Sequence, residues 1–286
     1  QVRARREHDP RPDRDRAIQA YQAAIALGDQ LSVRRIRAEA LWGLTLAHGL
    51  FGDPAAAERA AAEGIAICRW AGDPWVSALT ELALGATAVC AGRHPEAVDA
   101  LTRALQAFRD CGDPFGRAAA RLWLSLTYHA SGAAEQFATH VDDLLNLCET
   151  RGYDSLLTGP SLLGPPDPRR IVPVLLAAQA RGLRPAYVSR LLADAGLPQV
   201  RAHPGYQLRV QTLGGFRAWR GRAEIDPREW QRDKARQLFQ LLLTQRARPL
   251  QREEIAERLW PNLAPDIANR DFKVALNVLN KVLEPG

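Results

Sequence analysis

The clearest hydrophobic pattern in the chain lies near its end, between Asp266 and Leu283. Apolar residues recur there at steps of three and four, which predicts an amphipathic helix with one buried stripe. The stripe consists of Ala268, Phe272, Ala275, Leu276, Leu279, Val282 and Leu283. The opposite side carries cationic and amide residues, namely Arg270, Lys273, Asn277 and Lys281, flanked by Asn269 and Asn280.

This polar face has two interpretations. Arg and Lys side chains bind phosphates or guanine edges, and Asn pairs with adenine, so the face suits the major groove of DNA. The alternative is an ordinary solvated helix face. The upstream pattern favours the first interpretation, because two further helices are predicted at Arg232–Gln245 and at Gln251–Trp260, the latter stopped by Pro261. Three helices joined by short polar turns, the third basic, are typical of a helix-turn-helix arrangement.

A strand-like stretch, Tyr206–Ile225, precedes these helices. Leu208, Val210 and Thr212 alternate with polar residues, and glycines at 214, 215 and 221 mark turns. Phe216, Ala218 and Trp219 predict a second short strand. We therefore expect a small antiparallel β-sheet before the three helices.

Residues 207–286 resemble the winged-helix DNA-binding domain of the OmpR/PhoB type, in the version found in SARP regulators and their relatives with a bacterial transcriptional activator domain. The resemblance rests on four motifs in order, LGGFRAW, Trp230 with KARQLFQLLL, LQREEIAERLWP and ANRDFKVALNVLNKVLEP. It implies base-edge or groove contacts for Arg270, Lys273, Asn277 and Asn269, with Asn280 and Lys281 nearer the DNA backbone. The family's β-hairpin wing would follow the third helix, where the sequence stops at Glu284-Pro285-Gly286, so we expect a truncated wing.

A second pattern organises the first half of the chain. Glycines occur at 52, 72, 92, 112, 132 and 152, a spacing of twenty, with Asp and Pro after several of them. Glycine ends a helix in the left-handed conformation, Asp caps the next helix and Pro fits its first turn. This predicts helical hairpins at Ser32–Trp70, Pro74–Cys111 and Pro114–Arg151, after a helix at Arg14–Leu27, and hence a solenoid.

The repeats, about residues 13–151, are similar to tetratricopeptide repeats, in the elongated form found in MalT-like regulators and other signal-transducing ATPases with numerous domains. The stretch PEAVDALTRALQAF carries part of this resemblance. It implies a sensor or partner-binding role, with an ATPase module upstream of Gln1. Because the chain starts at Gln1 and contains no Met, we expect a fragment of a longer protein.

The predicted organisation has three parts. A helical repeat domain spans 1–196, a linker spans 197–206 and the winged-helix domain spans 207–286. Within the first part, Leu156–Pro168 is too rich in Pro and Gly for a helix interior, and two shorter helices are expected at Arg169–Arg181 and Pro185–Ala195. The overall fold class is mainly α, a tetratricopeptide-like solenoid followed by a winged helix-turn-helix with a small sheet.

Aromatic and Arg residues on the repeat helices form a second candidate site. They line a groove for a ligand or partner in one interpretation, and pack between hairpins in the other. The residues concerned are Arg37, Trp42, Trp75, Arg121, Trp123 and Tyr128.

Charge and composition narrow the function classes. The net charge is +6, and residues 205–286 hold 15 basic and 10 acidic side chains whereas residues 1–204 hold 23 and 22. This asymmetry favours a polyanion partner for the C-terminal part. The four cysteines, 68, 90, 111 and 148, have no zinc or redox spacing, so buried thiols in a reducing cytoplasm are expected. No phosphate loop, HExxH or GxSxG motif is found, and no transmembrane run or signal peptide.

The sequence thus predicts a non-enzymatic transcriptional regulator without a cofactor in this fragment, cytoplasmic and associated with the nucleoid. Its expected partners are double-stranded promoter DNA, RNA polymerase, and a small-molecule or protein effector on the repeats, with no membrane partner. One rival is a protein-interaction scaffold whose winged helix is a docking surface, which the acidic Glu253, Glu254 and Glu257 favour. A second rival is an ATP-driven switch that depends on an upstream module.

Overall fold

A computed structural model describes residues 10–198, 200–201, 203–221, 223–231, 233–245 and 248–284. The described chain is mainly helical and contains a small three-stranded antiparallel sheet. It divides into two compact units, Gln1–His203 and Pro204–Gly286. The division falls inside the stretch predicted as a linker.

Seven long helices open the first unit, followed by a short helix, a 3-10 helix at Pro168–Ile171 and two further helices. Their bounds are α1 Pro10–Gln30, α2 Arg34–Leu50, α3 Pro54–Ala71, α4 Pro74–Cys90, α5 His94–Asp110, α6 Pro114–Ser131, α7 Ala134–Arg151, α8 Asp154–Thr158, α9 Val172–Ala180 and α10 Pro185–Asp194.

The turns between these helices follow the twenty-residue period. All six glycines of the series have positive φ, between 68° and 89°, as the left-handed helix ends require. Asp53, Asp73 and Asp113 each accept a hydrogen bond from a backbone N–H in the first turn of the next helix, and Pro follows each at the start of that helix. The predicted turn chemistry is confirmed.

Three predicted helices have other bounds. The helix expected at Arg169–Arg181 is divided into the 3-10 helix at Pro168–Ile171 and α9 at Val172–Ala180. The helix expected at Arg14–Leu27 extends over Pro10–Gln30. The hairpin expected from Ser32 begins its first helix at Arg34, because Ser32 has φ +56° and Val33 is extended, so neither continues a helix.

Each long helix packs against the next, and α2 also packs against α4 and α4 against α6. Small residues permit this close approach. A Cβ added at Gly85 would lie 2.4 Å from Leu101 Cγ, and one at Gly116 would lie 2.4 Å from Phe108 Cδ1. As a result α4 and α6 are buried along most of their length.

The second unit begins with strands β1 Leu208–Gln211, β2 Arg217–Arg220 and β3 Ala223–Glu224, in the order β1-β2-β3. Val210 pairs with Ala218 and Trp219 with Glu224. A 3-10 helix follows at Pro227–Trp230, and then α11 Asp233–Thr244, α12 Arg252–Leu259 and α13 Pro265–Leu283. The two predicted strands and three predicted helices are present within about two residues at each end, except that Thr212 and Phe216 lie outside the strands and Arg232 lies outside the described residues.

An aromatic cluster joins the sheet to the helices of this unit. The rings of Trp230 and Phe239 stack with centroids 5.7 Å apart, and Phe216 meets both edge-on at 5.9 Å. Ile255 from α12 and Leu279 from α13 complete the same core. The sheet and three helices therefore share one hydrophobic core.

Candidate nucleic-acid interface

Helix α13 is fixed by its apolar side and by its C-terminal end. Ala268, Ala275, Leu279 and Val282 are buried, as the predicted stripe requires. The guanidinium of Arg220 donates to the Val282 carbonyl at 2.7 Å, and the Tyr206 hydroxyl donates to the Leu283 carbonyl. These bonds satisfy backbone acceptors that a helix end leaves unpaired.

The turn before α13 is fixed by Lys234 of α11. Its ammonium donates to the Leu259 carbonyl at 2.5 Å and lies 5.8 Å from the centre of the Trp260 ring. This single side chain ties α11 to the C-terminal end of α12. Helices α11, α12 and α13 contact one another pairwise, so α13 is held against a rigid support.

The polar side of α13 is open to solvent. Arg270, Lys273, Asn277, Asn280 and Lys281 are all exposed. Side-chain angles explain why they share one face, since steps of three, four and seven residues return to the same side of a helix. The predicted set is thus brought together on one surface, which we call the α13 basic face and define by these five residues.

Asn269 differs from the other five. It is only partly exposed and lines a cleft between α12 and α13, at the edge of the α13 basic face. The sequence pattern placed it beside the basic residues, and the structure turns it toward α12.

The cations of this face have few partners in the part of the chain that the structure describes. The nearest is Asp271 Oδ1, 3.5 Å from the Nε of Arg270, whose side chain is still 73% exposed. Lys273 and Lys281 have no hydrogen bond or ion pair among the described residues. By contrast, other arginines of the unit lie against carboxylates, in the pairs Arg217–Glu224, Arg220–Glu229, Arg236–Asp233, Arg248–Glu254 and Arg258–Glu254.

The acidic residues of α12 fall into two groups. Glu254 accepts hydrogen bonds from Arg248 and Arg258, and the bond to Arg248 lowers its pKa. Glu253 and Glu257 instead line a cleft of about 320 Å³ together with Trp260 and other residues. The negative charge of α12 is therefore either paired with arginine or located at the cleft between α12 and α13.

Sequence reasoning missed three exposed residues on α13. Asp266 lies two turns before Lys273, on the same side of the helix, and Ile267 and Val274 are exposed apolar residues beside Arg270. The seven-residue spacing between Asp266 and Lys273 would have placed Asp266 on the same side of the helix as the basic residues. The exposure of Ile267 and Val274 had no such signal, because both look like core residues in the sequence.

The six residues predicted for a groove on the repeats do not form one open site. Arg37 is held between Asp29 and Glu63, and Trp75 donates from Nε1 to Asp113 Oδ2 at 2.9 Å. Trp42 is partly buried against the core.

The prediction that Trp123 lines an open groove is wrong. Its side chain is only 1% exposed, and its Nε1 donates to the Leu163 carbonyl at 2.8 Å. Leu163 belongs to the Pro- and Gly-rich segment after α8, which covers this part of α6. The packing interpretation therefore holds for Trp123.

Arg121 and Tyr128 belong to a polar cluster between α6 and α7. Arg121 is buried and bonds Asp143 at 2.6 Å, and its guanidinium lies 3.5 Å from His140 Nδ1. Tyr128 stacks on His140 with ring centres 5.3 Å apart. Burial, with the positive charge of Arg121, lowers the pKa of His140 to about 4.

The thiols divide by exposure. Cys68 and Cys148 are buried, and burial raises their pKa to about 11 and about 12. Cys90 and Cys111 are exposed, so the expectation of buried thiols was wrong for these two, which end helices at turns. Among the described residues no group of three or more His, Cys, Asp or Glu side chains could hold a metal ion. No helix in the described part is both long and apolar enough to cross a bilayer.

Comparison with known proteins adds no relative. No protein-family model matches this chain, and no curated protein matches it.

Proposed function

We propose that this chain is part of a bacterial transcriptional regulator that binds promoter DNA through a winged helix-turn-helix in its second unit. The helical hairpins of the first unit act as the arm that receives a signal, from a small molecule or a protein. RNA polymerase is the further partner that the family resemblance implies.

The proposal that this unit binds DNA rests on one observation. The α13 basic face exposes three cations and two amides, while five of the eight described arginines elsewhere in the unit are paired with carboxylates. A cluster of solvent-exposed positive charge binds polyanions by releasing their counterions. The amides add the hydrogen-bonding pattern that reads adenine.

The dimensions of the helix also support this function. At 19 residues, α13 is about 28 Å long, and the major groove of B-DNA admits an α-helix. Arg270 and Lys273 would bind guanine edges or phosphates, and Asn277 would pair with adenine. Asp266 would accept a hydrogen bond from cytosine N4, and Lys281 would bind the backbone.

The packing of helices in the first unit supports its proposed role as the arm that receives a signal. Successive helices pack in order, and α2 packs against α4 and α4 against α6, with a period of forty residues. Such regular nearest-neighbour packing is typical of a tetratricopeptide-like solenoid. The second unit, with three helices behind a small sheet, fits a winged helix-turn-helix.

The experiment begins by selecting a preferred duplex from a randomised pool with the full chain. Fluorescence anisotropy then compares wild type with Arg270→Ala and Lys273→Ala. Each substitution is expected to weaken binding by about 1–3 kcal/mol. Arg236→Ala is the matched control, because it removes one exposed arginine from α11, where Arg236 is paired with Asp233. Unchanged affinity in both α13 variants would show that this helix does not read DNA.

A protein-docking scaffold is the second candidate function, and the α12–α13 cleft favours it. The cleft combines Trp260, Pro261 and Leu263 with the carboxylates of Glu253 and Glu257, which suits a basic and apolar peptide. Absence of duplex binding at low salt would favour this candidate over DNA recognition.

A further inference from the structure

A cavity of about 290 Å³ lies in the first unit, beside the residues that lead to the second. Leu157, Val172 and Leu175 supply its apolar wall, and all three are buried. Leu197 and His203, from the stretch predicted as a linker, also line it. The start of the connection between the units is therefore part of the cavity wall.

The polar groups of the cavity nearly cancel in charge. Asp167 accepts hydrogen bonds from the backbone N–H of Arg169 at 3.1 Å and from its guanidinium at 3.3 Å. Burial, with the neighbouring Arg169, lowers the pKa of His203, so its imidazole is neutral at pH 7. A guanidinium has five N–H donors, so the contact with Asp167 leaves others for a ligand.

The volume limits the size of an occupant. A cavity of about 150 Å³ accommodates benzene, so this one suits a molecule of roughly ten to twelve non-hydrogen atoms. Asp167 and Arg169 already neutralise each other, so an ion that entered the cavity would lose water without gaining an opposite charge. An uncharged molecule with one strong acceptor fits both the walls and the polar edge.

We propose that this cavity binds an uncharged small molecule with an apolar body and a carbonyl or hydroxyl oxygen, which accepts a hydrogen bond from Arg169. The bound molecule contacts Leu197 and His203 and thereby orders the backbone at Leu197 and Val200. Neither the binding of this molecule nor the ordering of the connection rests on the proposed function.

Primary amides of increasing length test the site by titration calorimetry on the full chain. From butanamide to hexanamide to octanamide, affinity is expected to rise about tenfold per two methylenes, since each buried methylene contributes about 0.8 kcal/mol. Octanoate, the matched anion, is expected to bind at least tenfold more weakly than octanamide. An affinity that does not rise with chain length, or equal binding of octanoate, overturns the site.

Two Trp variants separate the cavity from general surface binding. Ala195 lines the cavity and is exposed, so Ala195→Trp fills the space without disturbing the core, and octanamide affinity should fall at least tenfold. Ala193→Trp is the control, because Ala193 is exposed in the last turn of α10, two residues before Ala195, but does not line the cavity. Equal binding of octanamide to wild type and Ala195→Trp overturns the proposal.

Hydrogen exchange tests the ordering of the connection without DNA. The Leu197 N–H donates to the Leu192 carbonyl at 2.8 Å, and the Val200 N–H donates to the Leu197 carbonyl at 3.4 Å. Saturating octanamide should slow exchange of these two amides at least threefold in wild type and leave them unchanged in Ala195→Trp. Binding with unaltered exchange overturns the ordering, and does so whether or not the second unit binds DNA.

Discussion

Removal of Asp143 should destabilise the first unit more than removal of Arg121, although Asp143 is the exposed member of their ion pair. The Arg121 side chain is 6% exposed and that of Asp143 is 48% exposed, with 2.6 Å between the guanidinium and the carboxylate. Asp143→Ala leaves a buried guanidinium without its carboxylate. Arg121→Met removes the buried charge, keeps an apolar stem of similar length, and leaves Asp143 to water.

The magnitudes follow from this asymmetry. Breaking a buried pair by removing one partner costs about 3–5 kcal/mol. Water reaches the Asp143 side of this pair, so the lower end applies and Asp143→Ala should cost about 3 kcal/mol. Arg121→Met should cost about 1 kcal/mol or less, because apolar replacements of buried charges are often neutral. Burial already lowers the pKa of Arg121, which shows that the site disfavours its charge.

Urea denaturation followed by far-ultraviolet circular dichroism and by Trp fluorescence measures both free energies of unfolding. The chain also contains a matched pair with the charges exchanged: Glu81 and Arg103 lie forty residues earlier, at 2.8 Å, with side chains 11% and 58% exposed. There Arg103→Ala should cost more than Glu81→Gln. If Arg121→Met is as destabilising as Asp143→Ala, burial does not determine the cost and the reasoning fails.

Three further predictions concern stability and reactivity. The lowered pKa of His140 means that the unfolded chain binds its proton first, so stability should fall between pH 6.5 and about 4, by about 3 kcal/mol at this residue; acid titrations of His140→Gln and wild type should differ by that amount, and parallel curves would contradict it. Gly85→Ala places a Cβ 2.4 Å from Leu101 Cγ and should lower the free energy of unfolding by about 1–2 kcal/mol despite the better helix propensity of Ala, whereas a melt that shows stabilisation would refute this. A thiol reagent should modify Cys111 in the native protein and Cys148 only after unfolding, given their exposures; equal rates would be incompatible with this fold.

Local signals account for the parts of the fold that the sequence predicted well. Gly72 and Gly152 end helices through their own left-handed backbone conformation. Asp73, the residue after Gly72, caps the next helix, which begins at Pro74. These interactions span four residues or fewer, so spacing alone reveals them. The amphipathic pattern of α13 is local in the same sense, which is why five of the six polar residues predicted on its open side are exposed.

Features that depend on distant residues could not be predicted from the sequence. The sequence pattern places Trp123 among the groove residues. In the folded chain Leu163, forty positions later, covers Trp123 and accepts its hydrogen bond. Asn269 lies beside Arg270 in the sequence, yet packing between α12 and α13 turns it toward the cleft. Such tertiary contacts decide whether a polar or aromatic side chain faces solvent. The periodicity of one helix gives no information about them.

The salt dependence of DNA binding tests the central claim most directly. The logarithm of the association constant for the selected duplex should fall linearly with the logarithm of salt concentration, with a slope of about −0.9 per phosphate neutralised. Replacing Arg270, Lys273 and Lys281 together by Ala should reduce that slope by about 2–3 and weaken binding at every salt concentration. If the triple variant keeps the slope and affinity of the wild type, the exposed cations of α13 do not bind DNA.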